Sequence, residues 1–428
     1  MKLTLGLGLL SGSNLLLLFG ANLYVLYALG AGASTDALFG SLVIPQLVAG
    51  ILSTPLVGAL VPQLAGESED RMRRRGWSAL AASTVVLGTL GLALAVTAPA
   101  WVGILLPGFS PETRRLTATL SAIQMTGMVF TSWLAIITSA CQARSRFVVV
   151  EVAELAANMG AIVALAAVLN RFGLQAAAWV FAVRPLLAAI LLTPLLGRPG
   201  LPGREDDFLK ELWRRFKAPL FSSAYVKSGF LVDRLLCSLA LPGFLSLYHL
   251  ADKLVAAGVD VIRSSMVTPV LPRLTELAKA VRWNEFEAVL RKRLLTIAGV
   301  TGGAALVLLA AGWPVAGWVA GTRLDDARTL WAFLVALQGQ LVAGSLAVTL
   351  AYGYYAIRDT TTPARITMIA TTIGILLKVS LFPIFGLLAV AGATSFLQVF
   401  NTVAMGARLR SRMGKLNPAP ELAGSRSP

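Results

Sequence analysis

Ionisable side chains interrupt the otherwise apolar second half of the chain: Lys227, Asp233, Arg234, Asp252, Lys253, Asp260, Arg263 and Lys378. Their counterparts in the first half are chiefly Glu151, Glu154 and Arg184. Inside a segment that crosses a bilayer, such a group costs at least about 2.5–3.5 kcal/mol on insertion scales, so it faces a cavity or a partner. Helical spacing sorts them. Lys227 and Arg234, seven apart, share one face, as do Lys253 and Asp260, while Asp260 and Arg263 form an i, i+3 pair. The chemistry open to Lys227, Arg234, Lys253 and Arg263 is a cationic wall for an anionic group, with arginine adding bidentate geometry. The same pattern also fits a structural role, in which Asp233, Asp252 and Asp260 neutralise the cations in ion pairs that join helices. Cys141 and Cys237 lie in apolar runs and make no disulfide framework. The single His249 excludes a site of several histidines, and no phosphate-cradling GxxxxGK[ST] loop is present. No metal and no cofactor is expected.

The elements that must position these groups are long and apolar. Of 428 residues, 56% are hydrophobic and 14% charged, against about 25% charged in a soluble domain. Apolar runs long enough to cross a bilayer, roughly 20 residues each, recur from end to end. They are continuous rather than alternating, which excludes an outer-membrane barrel as well as a soluble enzyme or β-sandwich. The fold class is an all-α polytopic membrane protein. About twelve spans are predicted, near 4–29, 36–63, 77–106, 116–141, 148–169, 173–196, 217–240, 243–272, 293–319, 328–356, 365–385 and 387–407. The run Leu3 to Leu29 exceeds the roughly 7–15-residue core of a cleaved signal and reads as a retained helix.

A net charge of +16 in a soluble protein points to nucleic acid. Here the basic residues sort by alternate loops. One set holds Arg71, Arg73, Arg74, Arg75, Arg144, Arg146, the 198–217 segment, Arg273 to Arg293, Arg358, Arg365, and Arg408 to Lys415; the other holds only Arg114, Arg115, Arg171, Arg323 and Arg328. The positive-inside bias then places both termini in the cytoplasm, and no nucleic-acid partner is required.

The expected organisation is an N-terminal six-helix lobe (1–197), a cytoplasmic linker (198–216), a C-terminal six-helix lobe (217–408) and a disordered tail (409–428), rich in Pro, Ser and Gly after Lys415. In the linker Phe208, Leu212 and Phe216 are spaced i, i+4, i+8 opposite charges, the pattern of an interfacial helix on the membrane surface. Three faint matches relate the lobes at offsets of 210 to 214: Cys141-Gln-Ala-Arg144 with Tyr355-Ala-Ile-Arg358, Phe172-Gly173-Leu174 with Phe385-Gly386-Leu387, and Val61-Pro62 with Leu271-Pro272. A duplicated six-helix unit keeps its orientation, giving a parallel pseudo-repeat.

Certain blocks resemble a known family. Gly30-Ala-Gly-Ala-Ser-Thr-Asp36-Ala-Leu-Phe39, Ile44-Pro45 and Val61-Pro62 are similar to the first hairpin of MviN/MurJ-type flippases. Val232-Asp-Arg-Leu-Leu-Cys-Ser-Leu-Ala-Leu-Pro-Gly243 with Leu247 to Lys253 resembles their helices seven and eight, and Tyr354 to Pro363 their loop between helices ten and eleven. The resemblance implies a MATE-like fold of the multidrug/oligosaccharidyl-lipid/polysaccharide exporter superfamily. It implies a transporter rather than an enzyme, one that flips an undecaprenyl-pyrophosphate-linked cell-wall precursor, lipid II or similar, by alternating access. The place would be the bacterial inner membrane, with that precursor, membrane lipids and cell-wall synthesis proteins as partners. Lys253 then fills the place of a cavity arginine, and Arg234 follows the family's Asp-Arg pair. For some family members the resemblance implies sodium held by the equivalent of Asp233 with polar groups on helices eleven and twelve, and Lys378 is expected to replace that ion by pairing with Asp233. The sequence departs from the pattern in lacking two further C-terminal helices and the arginines of helices one and two. Helix one offers Ser11, Ser13, Asn14 and Asn22 instead, and helix two Gln46 to Gly50. A flippase for another polyprenyl-linked glycan, a MATE-type drug/cation antiporter and a non-transporting membrane scaffold are the alternatives.

Elsewhere, Asp36 reads as a helix cap after Ser34-Thr35, and Glu151 and Glu154 as partners of Arg144 or Arg146. His249 beside Tyr248 reads as packing or a local hydrogen bond rather than a proton switch. Pro45, Pro55 and Pro62, and Pro269 and Pro272, are expected to kink helices two and eight at corresponding places.

Overall fold

The computed structural model describes residues 2–200, 207–319 and 324–416. The first helix, α1 (Lys2–Leu29), ends at Gly30, where φ of 74° favours a residue without Cβ. Thr35 Oγ donates back toward the carbonyls of Gly30 and Gly32 as α2 (Ala33–Ser41) begins, and a turn at Leu42 leads into α3 (Val43–Leu64). Next come α4 (Glu69–Val96) and α5 (Ala98–Leu105). Ser110 caps α6 (Pro111–Ala143) by accepting from the Thr113 amide at 3.2 Å, with proline in the first turn. α7 (Phe147–Leu196) is 50 residues long, about 75 Å of helix and more than twice the apolar thickness of a bilayer. It breaks at Gly173, φ 68° and ψ −158°, where two spans are expected to meet.

The linker differs from expectation. Its amphipathic segment forms the first turns of one continuous helix, α8 (Phe208–Ser238), held by Glu211 pairing with Arg214 and Arg215, each at 2.6 Å. Phe208 and Phe216 are buried, and Phe208 and Leu212 pack on the core formed by α3, α4, α6 and α7. Only Leu209 and Trp213 remain exposed, so protein, not lipid, covers most of the apolar face. Residues 201–206 of the linker lie outside the described residues.

After α9 (Phe244–Ile262) the helix passes through a π turn (Arg263–Val267) and a 3-10 turn (Thr268–Val270) into α10 (Leu271–Lys279). Pro269 lacks the N–H that would continue the ladder, and Thr268 Oγ donates to the Arg263 carbonyl at 3.0 Å. Pro55 and Pro62 lie inside α3, which has no comparable π or 3-10 interruption. The chain continues as α11 (Trp283–Val319), α12 (Leu324–Ala336), α13 (Gln338–Ala356), α14 (Thr361–Phe385) and α15 (Leu387–Leu416). The last helix extends into the expected tail because Leu409 and Met413 are buried with Phe286 and Leu290; residues 417–428 lie outside the described ones. Among the described residues ten helices are long and apolar enough to cross a membrane, and α8, which carries Lys227, Asp233 and Arg234, is not one of them.

The faint repeat reappears in the backbone. Left-handed conformations occur at Gly30, Ser145 and Gly173, and again 213 residues later at Gly243, Arg358 and Gly386. Two of these pairs fall in or beside the sequence matches that predict the repeat.

The chain divides into two compact units, one built on Leu9–Leu250, the other on Ala251–Trp318 and the chain from Ala327 onward. The division lies beyond α8 rather than in the linker. In the first unit Leu60, Leu80, Ile136 and Leu192 form the centre of a core from α3, α4, α6 and α7. Gly127 of α6 lies so close to α7 that a Cβ would stand 2.9 Å from Ala182 Cα, the small-residue contact typical of membrane helices. In the second unit Phe286, Leu290, Leu350, Tyr354 and Leu409 join α11, α13 and α15, and Tyr354 donates its hydroxyl to the Met405 carbonyl at 3.0 Å.

Asp359 caps α14. It accepts from the Thr361 and Thr362 amides and hydroxyls at 2.7–3.1 Å and pairs with Arg412. Burial alone pushes its carboxyl up, but these donors outweigh that and hold it well below the usual carboxylate range. A depressed carboxylate stabilises the fold above its unfolded value of about 3.9 and loses that contribution as pH falls through the folded value. Asp359→Asn is therefore expected to destabilise the protein at pH 7 by about 1–3 kcal/mol. Denaturant unfolding at falling pH checks this: the gap between variant and wild type should close in acid and persist throughout the neutral range.

Candidate functional site

The first unit holds two of the expected cationic residues, in different surroundings. Lys227 of α8 is exposed and its stem lies over α3: a Cβ at Gly50 would stand 3.3 Å from Lys227 Cε and 3.7 Å from Nζ. The missing side chain at Gly50 thus makes the seat for the lysine. Among the described residues no carboxylate forms a salt bridge with it. Arg234, two turns along, is only 1% exposed, with its guanidinium 4.8 Å from the Phe230 ring centre and 5.8 Å from that of Tyr248. That enclosure, a cation–π setting, corrects its expected place on an open cationic wall. The shared helical face is real, but α9 covers it at Arg234 and not at Lys227.

Asp36 is a cap, though not of its own helix. Buried to 3% exposure, its carboxylate accepts from the Gly243 amide at 2.6 Å, the Ser246 amide at 2.8 Å and the Ser246 hydroxyl at 2.6 Å. These are the donors left open at the start of α9, where a negative charge also meets the positive end of the helix dipole. Thr35 Oγ lies 3.3 Å from Ser246 Oγ. Gly243 (φ 96°) permits the approach: a Cβ there would stand 3.0 Å from the Ala31 carbonyl carbon. Beside this bridge Phe39 stacks on His249 with centroids 4.7 Å apart, in keeping with a packing role for the histidine.

A polar chain that the sequence did not reveal crosses the same unit. Glu151 does not turn to Arg144, which pairs with Glu69 at 2.6 Å. It accepts instead from Ser11 Oγ at 2.6 Å and Asn14 Nδ2 at 2.9 Å of α1. Asn158 Nδ2 donates to Asn14 Oδ1 at 3.0 Å, and Arg184 donates to Asn158 Oδ1 at 2.7 Å. Glu154 supplies a further negative charge close to Arg184. The available signal was the i, i+3, i+7 spacing of Glu151, Glu154 and Asn158, one polar stripe on an apolar helix.

The second unit holds the remaining expected residues. Lys253 is half-buried on α9, and neighbouring Asp252 accepts from Gln340 Nε2 at 3.4 Å. Arg263, at the start of the π turn, pairs with Asp260 at 3.0 Å, as their spacing predicts. Ten residues separate Lys253 from Arg263, roughly 15 Å of helix, so the fold does not gather these two at one point. Lys378 is 4% exposed within α14, which excludes the snorkelling that a membrane lysine commonly adopts. Asp233 belongs to the first unit and Lys378 to the second. Among the described residues no group of three His, Cys, Asp or Glu could hold a metal.

Set beside known proteins, residues 25–421 match the family described as "Lipid II flippase MurJ". The chain belongs to this family. MurJ-type proteins are lipid flippases, so the chain is classed with transporters and not enzymes. No curated protein sequence matches it. Among solved structures, a lipid II flippase MurJ in an inward closed conformation is 17% identical, with a TM-score of 0.83 over 97% of this chain and 90% of that one. An inward-facing multidrug resistance MATE family transporter is 11% identical, with a TM-score of 0.78 over 97% and 96%. A MOP superfamily transporter from Pyrococcus furiosus Vc1 is 13% identical, with a TM-score of 0.65 over the same shares. Identities this low speak to the fold, which MurJ and MATE proteins share with this chain.

Proposed function

We propose that the chain flips lipid II, or a close undecaprenyl-pyrophosphate-linked precursor, across the bacterial inner membrane by alternating access. The observation that carries this reading is the family match over residues 25–421. In the proposed topology α7 crosses twice about Gly173 and α8 crosses once, giving twelve spans with both termini on the basic, cytoplasmic side. The 213-residue spacing of backbone breaks supports two six-helix lobes, 1–197 and 217–408.

We assign the pyrophosphate contact to Lys253, which fills the place of a cavity arginine in the family's pattern, and keep Lys227 as a separate candidate. Arg263 already answers Asp260, and Arg234 is enclosed by rings. Each lysine supplies a charge-assisted contact, so Lys253→Ala and Lys227→Ala are each expected to weaken lipid II retention roughly tenfold, the equivalent of ~1.4 kcal/mol. Native mass spectrometry against lipid II, undecaprenyl phosphate and an unrelated anionic lipid tests this. Unchanged lipid II retention in both folded variants overturns the assignment and leaves a scaffold.

A specific observation favours a second reading. Ser11 and Asn14 of α1 are engaged by Glu151, and that helix carries no arginine for a headgroup. A flippase for another polyprenyl-linked glycan fits that, and equal retention of the three lipids would select it. The cationic excess disfavours a drug/cation antiporter.

For coupling, we assign buried Lys378 the place of a monovalent cation. Flipping is expected to proceed equally in sodium and in potassium buffers. Activity that collapses without sodium would sink that assignment.

A further inference from the structure

The second unit contains a groove lined by none of the residues assigned above to the headgroup. It encloses about 420 Å³ between α11 and α15, with Leu350 of α13 in its floor. From α11 come Glu287, Leu290, Arg291 and Leu294, spaced i, i+3, i+4, i+7 so that they form one face. The opposite wall repeats that spacing on α15 with Val403, Gly406, Ala407 and Arg410. Gly406, which has no side chain, leaves depth at the centre. The floor is apolar and buried: Leu290 and Leu350 are each 5% exposed and Leu409 is 3% exposed.

The groove is polar at one end only. Arg291 and Arg410, from opposite walls, are both exposed, and neither has an ion-pair partner among the described residues. Glu287 reduces the local charge to one net positive. Towards the middle of the spans the walls become Leu294 and Val403, the latter 65% exposed. A ligand that fits has an anionic head matched to two guanidinium groups and an apolar chain that follows the helices. Paired guanidinium groups suit the oxygens of a phosphodiester, and basic pockets between membrane helices on the cytoplasmic side are a recurrent lipid-headgroup site. In the topology proposed above, Arg291 and Arg410 lie at the level of the cytoplasmic leaflet.

We infer that this groove binds one anionic phospholipid of the cytoplasmic leaflet, its phosphate between Arg291 and Arg410 and an acyl chain over Leu294 and Val403. The inference rests on the membrane topology and is independent of which lipid is flipped.

The test uses the purified full chain in phosphatidylcholine nanodiscs with and without phosphatidylglycerol, and native mass spectrometry counts the lipid retained. Wild type is expected to keep phosphatidylglycerol in preference to phosphatidylcholine. Arg291→Gln with Arg410→Gln should reduce that retention about fivefold or more, through loss of two charge-assisted contacts. Arg408→Gln, an exposed arginine on the same helix but outside the groove, should leave it unchanged. If the double glutamine variant fails to fold, Arg291→Lys with Arg410→Lys keeps the charge and should lose part of the retention. Equal retention of the two phospholipids by wild type, or equal loss in Arg408→Gln, overturns the inference. Displacement of phosphatidylglycerol by equimolar undecaprenyl phosphate would assign the groove to a polyprenyl chain and overturn the phospholipid.

Discussion

Asp36→Ala is expected to lower lipid II flipping more than tenfold while the folded protein is still recovered. The carboxylate takes three donors at 2.6–2.8 Å in a site of 3% exposure. Its removal leaves two buried amides unsatisfied, at about 1–3 kcal/mol for each group that water does not reach, while the Ser246 hydroxyl keeps the Gly243 carbonyl as an acceptor at 2.9 Å. The bridge joins the turn after α1 to the turn before α9. Those turns carry Gly30 and Gly243, equivalent positions in the 213-residue repeat. A contact between equivalent turns would hold one face of a transporter closed if the two turns separate during alternating access. A bias of even 3 kcal/mol between two states changes their ratio more than a hundredfold, so loss of the bridge depopulates the closed state. Asp36→Asn, with one acceptor oxygen for donors that need two, should fall between alanine and wild type. The converse experiment locks the contact. Thr35→Cys with Ser246→Cys places two thiols where hydroxyl oxygens lie 3.3 Å apart. Oxidation should stop flipping and reductant should restore it. Wild-type flipping by the fully cross-linked protein would show that the bridge is static structure and not a gate.

The fold was more legible than the site, for a physical reason. Span length and loop charge are properties of whole segments, so they survive the loss of detail at any one residue, as the break at Gly173 illustrates. The Asp260–Arg263 pair was also readable, since partners three apart on one helix need no tertiary information. Arg234 was not. Its spacing from Lys227 is correct, yet whether a helical face is open depends on what crosses it, and Tyr248 and Phe230 cover it. The linker failed similarly: Phe208 and Leu212 mark an apolar face but do not say whether lipid or protein meets it. Asp36 and Ser246 lie 210 residues apart, and a cap supplied from such a distance leaves no local signature. Gly50 carries its message through the side chain it lacks, visible only once Lys227 lies over it.

Arg184→Ala should cause the larger loss of folded protein. Arg184 is the one cation in the polar chain that links Ser11, Glu151, Asn14 and Asn158, with Glu154 as a second carboxylate near it. Hydrogen bonds between membrane helices are individually weak, averaging about 0.6 kcal/mol, so dismantling one neutral link, as in Ser11→Ala, should cost little. Removal of a buried cation is different, because it strands the opposite charge at about 3–5 kcal/mol. That exceeds what a marginally stable fold tolerates without loss of yield. The charge argument makes a second, opposite prediction: Arg184→Met combined with Glu154→Gln removes the cation and one anion together and should restore most of the folded protein. A purely steric role for the arginine stem would give the double variant no advantage over Arg184→Met alone. Thermal unfolding of the single and double variants in the same detergent separates the two, since only electrostatic compensation makes two substitutions milder than one.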